Sequence, residues 1–165
     1  MFLPSSSILQ IITPNVLCDR KAVLQLMRWR IKNQNFYATQ PKVTERSFRH
    51  WLKQYVFSLP KLLFWVTDKE GNPLGHIGIR FWEKYCEIDN VSRGEKQGKG
   101  RMGEALNVLV RWIQENTPYK EISLRVISSN VHAIDFYQKH GFISVRRTVI
   151  HKDSPLRFLK MKYEY

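Results

Sequence analysis

Apolar residues recur at helical spacing through Val23, Leu24, Met27 and Ile31, and Asp19 stands where a cap is needed, which predicts a helix running to about Asn33. Its opposite face is basic. A second helix is expected from Thr44, just after Pro41, to about Phe57, with Phe48, Trp51, Leu52 and Tyr55 on one stripe and Pro60 beyond its end. The period then changes. Leu62 to Thr67 and Leu74 to Trp82 are β-rich runs around the turn cluster Asp68 to Pro73, which predicts a hairpin, and Tyr85 to Ser92 fits a third strand beside it. Met102, Leu106, Leu109, Val110 and Ile113 then mark one face of a helix from Arg101 to about Asn116. Glu121 to Ser128 alternates Ile122, Leu124 and Val126 against Ser123, Arg125 and Ile127, as a strand does. Asn130 is placed to cap a short helix that stops at Gly141, and Phe142 to Ile150 and Leu156 to Tyr163 read as two closing strands. This order implies a mixed sheet with helices on both faces, an α/β fold of the mixed α+β kind.

A length of 165 residues suits one domain spanning residues 1–165, and 43% hydrophobic content without repeats or a Pro/Gly/Ser-rich divider fits a single packed core. Met1 to Leu17 has neither a basic start nor a continuous apolar run, so neither a signal peptide nor a membrane anchor is expected, and the chain reads as cytoplasmic. Cys18 and Cys86 stand far apart with no CxxC or Cys/His cluster, which argues against a disulfide framework and against a metal site. The excess of 27 basic over 14 acidic residues gives +13, a charge that attracts polyanions. Lys and Arg are spread along the chain with no basic arm or RNP-like motif, so nucleic acid is not favoured over a phosphorylated small molecule.

One segment concentrates chemistry. A strand that ends in Gln97-Gly98-Lys99-Gly100-Arg101-Met102-Gly103 and opens into a helix directs unpaired backbone N–H groups and the positive helix end at one point, which suits a phosphate. Gly98 and Gly100 allow close approach and positive φ, and Lys99 and Arg101 add positive charge. The loop has neither the Walker ending nor GxGxxG, which disfavours nucleoside triphosphates and dinucleotides. By itself such a turn is as readily structural.

The second element lies some thirty residues on, at Asn130, Ala133, Tyr137, Gly141 and Phe142. Together the two resemble the GNAT superfamily of acyl-CoA N-acyltransferases. Gln97, Gly100 and Met102 fall on the three defining positions of its Q/R-x-x-G-x-G/A loop; Met102 departs from the usual small residue but matches the subgroup with Gly-x-Met-x-Glu-Ala-Leu, here Gly100 to Leu106. The resemblance covers residues 62 to 150 well and the first third loosely. It implies a three-layer fold with a mostly antiparallel sheet of about seven strands, acetyl-CoA as donor, no metal, and an amine acceptor.

The resemblance also implies roles. The loop, together with Asn130, would bind the cofactor, Val91 and Arg93 would offer backbone contacts to the pantetheine arm, and Tyr137 would donate a proton to the departing sulfur. Read bare, Tyr137 is equally an inward-facing aromatic, and Asn130 a plain helix cap. Glu87 and Asp89 share one face of their strand and offer themselves as the base for the ammonium proton, directly or through water; carboxylates on a strand are as readily solvated or paired with Arg. His50, His76, His132, His140 and His151 are scattered, and only His76 falls in a central strand. The first third, with Arg28-Trp29-Arg30, resembles the branch that acetylates an amino sugar carried on a nucleotide diphosphate in surface-glycan synthesis. A basic first helix would suit that acceptor, making Arg28, Trp29, Arg30 and His76 the expected acceptor-side residues. The alternatives are a ribosomal-protein or other protein N-terminal acetyltransferase, and a non-catalytic basic binding module. Oligomeric state stays open.

Overall fold

The computed structural model describes residues 6–37, 42–58, 60–150 and 156–164. The sequence expectations at Met1, Pro41 and His151 lie outside them. Among the described residues, seven strands form one sheet in the order β1-β2-β3-β4-β5-β7-β6. The strands are β1 (Leu9–Ile11), β2 (Lys61–Thr67), β3 (Pro73–Phe81), β4 (Cys86–Arg93), β5 (Ile122–Ile127), β6 (Phe142–Ile150) and β7 (Arg157–Tyr163), and the helices are α1 (Arg20–Lys32), α2 (Glu45–Val56), α3 (Arg101–Asn116) and α4 (Val131–Gln138). Only β4 and β5 pair in parallel; every other neighbouring pair is antiparallel. The parallel pair is joined through α3, the crossover such a pair requires.

The helices begin where the sequence provides caps. Asp19 accepts from the N–H groups of Lys21 at 2.9 Å and Ala22 at 3.1 Å, and Thr44 and Ser47 form a reciprocal capping box ahead of α2. One face of the sheet is covered by α1 and α2, where Val23, Leu26, Trp29, Phe48, Leu52 and Tyr55 pack with Leu63. The other is covered by α3, where Leu106, Leu109 and Ile113 meet Phe64, Ile77, Ile79 and Ile88. α4 lies beside the start of α3, with Tyr137 and Phe142 joining that second core.

Three features differ from the sequence expectation. β1, only three residues long, pairs with β2 and supplies a strand that no alternation or turn signal marked. Two short 3₁₀ turns, Pro14–Cys18 and Gln34–Phe36, flank α1. In β5 the expected alternation gives way to burial everywhere except Arg125, because a strand between β4 and β7 is covered on both faces.

Leu106 has 0% exposure at the centre of the α3 face. Its replacement by Ala is expected to lower stability by about 2–5 kcal/mol, read as an earlier urea-unfolding midpoint with an unchanged slope.

Candidate active site

β4 is not a regular strand. Its pairing with β3 runs from Phe81↔Cys86 to Gly78↔Asp89 and resumes at His76↔Ser92, so Asn90 and Val91 face the single residue Ile77. Asn90 has φ 47°, a left-handed conformation that Asn tolerates better than most residues. Beyond this bulge β4 leaves β5: the parallel pairing covers only Cys86 to Ile88 against Ile122 to Leu124. The gap is a cleft of about 800 Å³, walled by Glu87 to Arg93 of β4, Arg125 to Ile127 of β5, and the starts of α3 and α4.

The glycine loop closes one end. Gly98 and Gly100 have φ 68° and 87°, and a Cβ placed on Gly100 would meet nothing within 4 Å. Both glycines line the cleft with Met102 and Gly103. The Arg101 and Gly103 N–H groups close turns onto Gly98 and Gly100, while those of Gly98, Lys99, Gly100 and Met102 meet no backbone acceptor among the described residues. The loop therefore presents donors and a helix start to the cleft. Its charged side chains are placed differently from the sequence expectation. Arg101 is no mobile cation: it donates to Thr67 O at 3.1 and 3.0 Å and to Glu104 at 2.8 Å. Gln97 and Lys99 are exposed and absent from the cleft wall. Arg93 lines the cleft but folds its guanidinium onto the carbonyls of Glu95, at 3.0 Å, and Lys96.

On the facing wall, Asn130 accepts from Ala133 N–H at 3.2 Å and so caps α4 while lining the cleft. Tyr137 is 8% exposed, edge-on to Phe136 at 5.3 Å and Phe142 at 6.0 Å, with burial pushing its phenol well above the usual range. It stays protonated. His140, beyond it, is held by Asn107 at 3.0 Å and covers Gly103, where a Cβ would come within 2.4 Å of the imidazole.

The two carboxylates of β4 are both paired, and differently. Glu87, 4% exposed, receives two bonds from Arg125, at 2.5 and 3.2 Å, and one from Trp82 Nε1 at 3.1 Å. Asp89 receives the Tyr55 hydroxyl and, at 2.9 Å, Arg80. Burial raises the Asp89 carboxyl above its ordinary range, with Tyr55 and Arg80 opposing the rise.

The acceptor-side expectations need correction. Arg30 lines the cleft, but Arg28 is exposed and lies outside its wall. Trp29 is buried at 3%, donates to Glu95 at 2.9 Å and crosses Trp65 edge-on at 5.9 Å. It packs against Gly94, where a Cβ would lie 1.9 Å from the indole. His76 stacks on Trp29 at 6.2 Å, is 2% exposed, and has a pKa lowered to about 3 by burial and by Arg30. Both belong to the wall behind the cleft. The sequence missed Tyr37, Arg80, Arg125 and His140 as cleft residues. No local pattern marks them.

The sheet is thus split beside a glycine loop and a buried tyrosine. The family profile described as "Acetyltransferase (GNAT) family" matches residues 24–142, and the chain belongs to that family. It is an acetyl-CoA-dependent N-acetyltransferase. Among solved structures, a spermidine N-acetyltransferase from Vibrio cholerae in complex with CoA and spermine is similar at 16% identity, 93% of this chain, 92% of that one and TM-score 0.72. FdhC, a nucleotide-linked sugar GNAT, is similar at 12% identity, 94% of this chain, 84% of that one and TM-score 0.72. A GNAT-family protein from Chromobacterium violaceum is similar at 19% identity, 96% of this chain, 87% of that one and TM-score 0.73. At these identities they establish the fold. No curated protein sequence matches the chain. Among the described residues no helix is long and apolar enough to cross a membrane, and no group of three or more His, Cys, Asp or Glu is placed to hold a metal ion.

His76 generates a pH effect. Its folded pKa, about 3, lies below the unfolded value of about 6.5, so the unfolded chain binds the extra proton and stability falls as pH drops through that window. Between pH 7.5 and 5 the wild type is expected to lose about 2 kcal/mol more than His76→Phe in urea unfolding, and equal losses would refute a neutral buried imidazole.

Proposed function

We propose that this cleft transfers the acetyl group of acetyl-CoA to the amino sugar of a nucleotide-linked sugar, in surface-glycan synthesis. The observation that carries the chemistry is the convergence of the glycine loop, the open edge of β4 and Tyr137 on one cavity. The loop N–H groups and the start of α3 hold the pyrophosphate, assisted by Asn130 at the α4 cap. The pantetheine arm lies along β4 beyond Ile88, where the backbone of Val91 and Arg93 has lost its β5 partner. The neutral amine nitrogen attacks the thioester carbon, a C–N bond forms and the C–S bond breaks, and the extra proton left on the new amide nitrogen passes to the departing sulfur, so that the products are the amide and the CoA thiol. Tyr137 meets the departing sulfur as a hydrogen-bond donor.

Of the two carboxylates, Asp89 is the better base. Glu87 holds three donors and serves to fix Arg125, whereas the raised pKa of Asp89 increases its proton affinity where the ammonium must lose its proton.

The acceptor reading rests on charge. The cleft wall carries Arg30, Arg80, Arg93 and Arg125 against only Glu87 and Asp89. That surplus suits a phosphate-bearing amine and opposes a polycation such as spermidine. The whole chain, at +13, has the same bias.

Tyr137→Phe is expected to lower kcat by about 100-fold with the KM for acetyl-CoA within about threefold of wild type, because the lost bond forms only as thiolate develops. Unchanged turnover would return Tyr137 to a packing role. In a mass-shift assay run side by side, a nucleotide-linked amino sugar is expected to be acetylated in preference to a ribosomal-type N-terminal peptide and to spermidine. Peptide acetylation without sugar turnover would reject this acceptor and leave the enzyme class standing.

A further inference from the structure

The arginines of the cleft wall can be sorted by what each guanidinium already touches. Arg80 bonds Asp89 at 2.9 Å, Arg125 bonds Glu87 twice, and Arg93 is folded onto the loop carbonyls. Arg30 differs. It stands on the last turn of α1 with its guanidinium over the Tyr37 ring at 4.0 Å and the Trp51 ring at 4.9 Å; it makes no ion pair with any described residue, and the Tyr37 hydroxyl is the side-chain oxygen within its reach. Aromatic faces stabilise a cation but accept none of its five N–H groups in line.

Tyr37 adds a second, independent observation. Its hydroxyl is shielded from solvent and, among the described residues, makes no hydrogen bond of good geometry, although Ser92 and Arg30 lie beside it; burial raises its pKa so that it stays protonated. An unsatisfied buried hydroxyl is costly, and such groups are ordinarily paired. Arg30 and Tyr37 both line the one cleft, and the planar fork of Arg30 keeps N–H groups that no described residue takes. Both are donors, and one carries charge. The complement is a group with acceptors only and negative charge.

We propose that Arg30 and Tyr37 form an anion subsite on the acceptor side of the cleft, taking a phosphate oxygen of the amine substrate, with Trp51 holding the guanidinium in plane. This deepens the acceptor reading above and rests on it for the choice of phosphate. The subsite is specific to the acceptor because the cofactor's phosphates are assigned to the glycine loop at the start of α3. Packing against Trp51 of α2 and against Tyr37, just after the Gln34–Phe36 turn, explains the position of Arg30; it leaves N–H groups of the fork without an acceptor among the described residues.

The test uses enzyme saturated with CoA, so that the loop is filled, and follows tryptophan fluorescence while inorganic pyrophosphate is added. Saturable binding is expected in wild type, about tenfold weaker in Arg30→Met and about threefold weaker in Tyr37→Phe, which keeps the ring under the guanidinium. Arg28→Met, one exposed cation removed from the same helix, should bind as wild type does. Binding that survives Arg30→Met, that falls equally in Arg28→Met, or that is absent from wild type overturns the subsite. Should Arg30→Met fail to fold, Arg30→Lys retains charge but loses the fork, and with Tyr37→Phe it gives the same reading. Succinate is titrated in parallel. Succinate binding through Arg30 in place of pyrophosphate keeps the subsite and removes the phosphate-bearing acceptor. Pyrophosphate binding through Arg30, with no acetylation of a nucleotide-linked amino sugar, likewise keeps the subsite and rejects only the sugar.

Discussion

Asn90 and Val91 of β4 oppose one residue of β3, and the position of the cleft follows from that excess. A regular strand would place residues 87, 89 and 91 on one face and 92 on the other. The bulge resets the alternation, so Ser92, opposite His76, shares a face with Asp89, opposite Gly78, and Glu87, opposite Arg80. The polar groups of the proposed acceptor side thereby gather under α1 and α2, while Ile88 joins the α3 core. The same bend ends the pairing with β5 after Ile88, leaving backbone donors and acceptors free along an opening that leads to the glycine loop. One inserted residue gives the cleft its position, its polar lining and its unpaired edge.

The loop is fixed in turn by the end of α1. Lys32 donates to Gly94 O at 2.8 Å, Asn33 to Ser92 Oγ at 3.0 Å and Arg93 O at 3.3 Å, and Trp29 to Glu95 at 2.9 Å. Two glycines make this approach possible. Gly94 lies under the Trp29 indole, and at Gly78 a Cβ would come within 2.4 Å of the Tyr55 hydroxyl and 2.6 Å of Asp89. The helices α1 and α2 therefore touch the strand backbone and brace the loop. Arg30 stands on the same turn as Trp29, Lys32 and Asn33, so the proposed acceptor and cofactor sides share one support.

What could be read in the sequence was local. Asp19, Thr44 and Asn130 announced their helices because a cap acts within three residues, and the α3 stripe was visible because its period is intrinsic. The glycine loop and the Asn130 to Phe142 string stood out for the same reason. Misplaced residues are those whose partners lie far along the chain: Arg101 is held by Thr67, Trp29 by Glu95, and His76 by its stack on Trp29. Charge and aromaticity suggested exposure at a site, and tertiary packing enclosed these residues. Tyr37, Arg80 and Arg125 were missed for the converse reason. Their place in the cleft depends on a bulge and a strand separation that no periodicity records.

Burial acts on both proposed reacting groups in one direction with opposite chemical effect. It raises the phenol of Tyr137 and the carboxyl of Asp89, and in both it is the largest influence. A raised phenol is a weaker acid, so full proton transfer to a thiolate of ordinary basicity becomes more uphill than in water, and Tyr137 acts by hydrogen bonding to developing charge. A raised carboxyl is a stronger base, so the same enclosure brings Asp89 nearer to the ammonium it must deprotonate. Arg80 and Tyr55 oppose that rise and orient the carboxylate. In the proposed mechanism the ammonium proton goes to β4, the sulfur is stabilised from α4, and the second proton passes from the new amide nitrogen to the departing sulfur, so Asp89 and Tyr137 need not exchange a proton across the cleft.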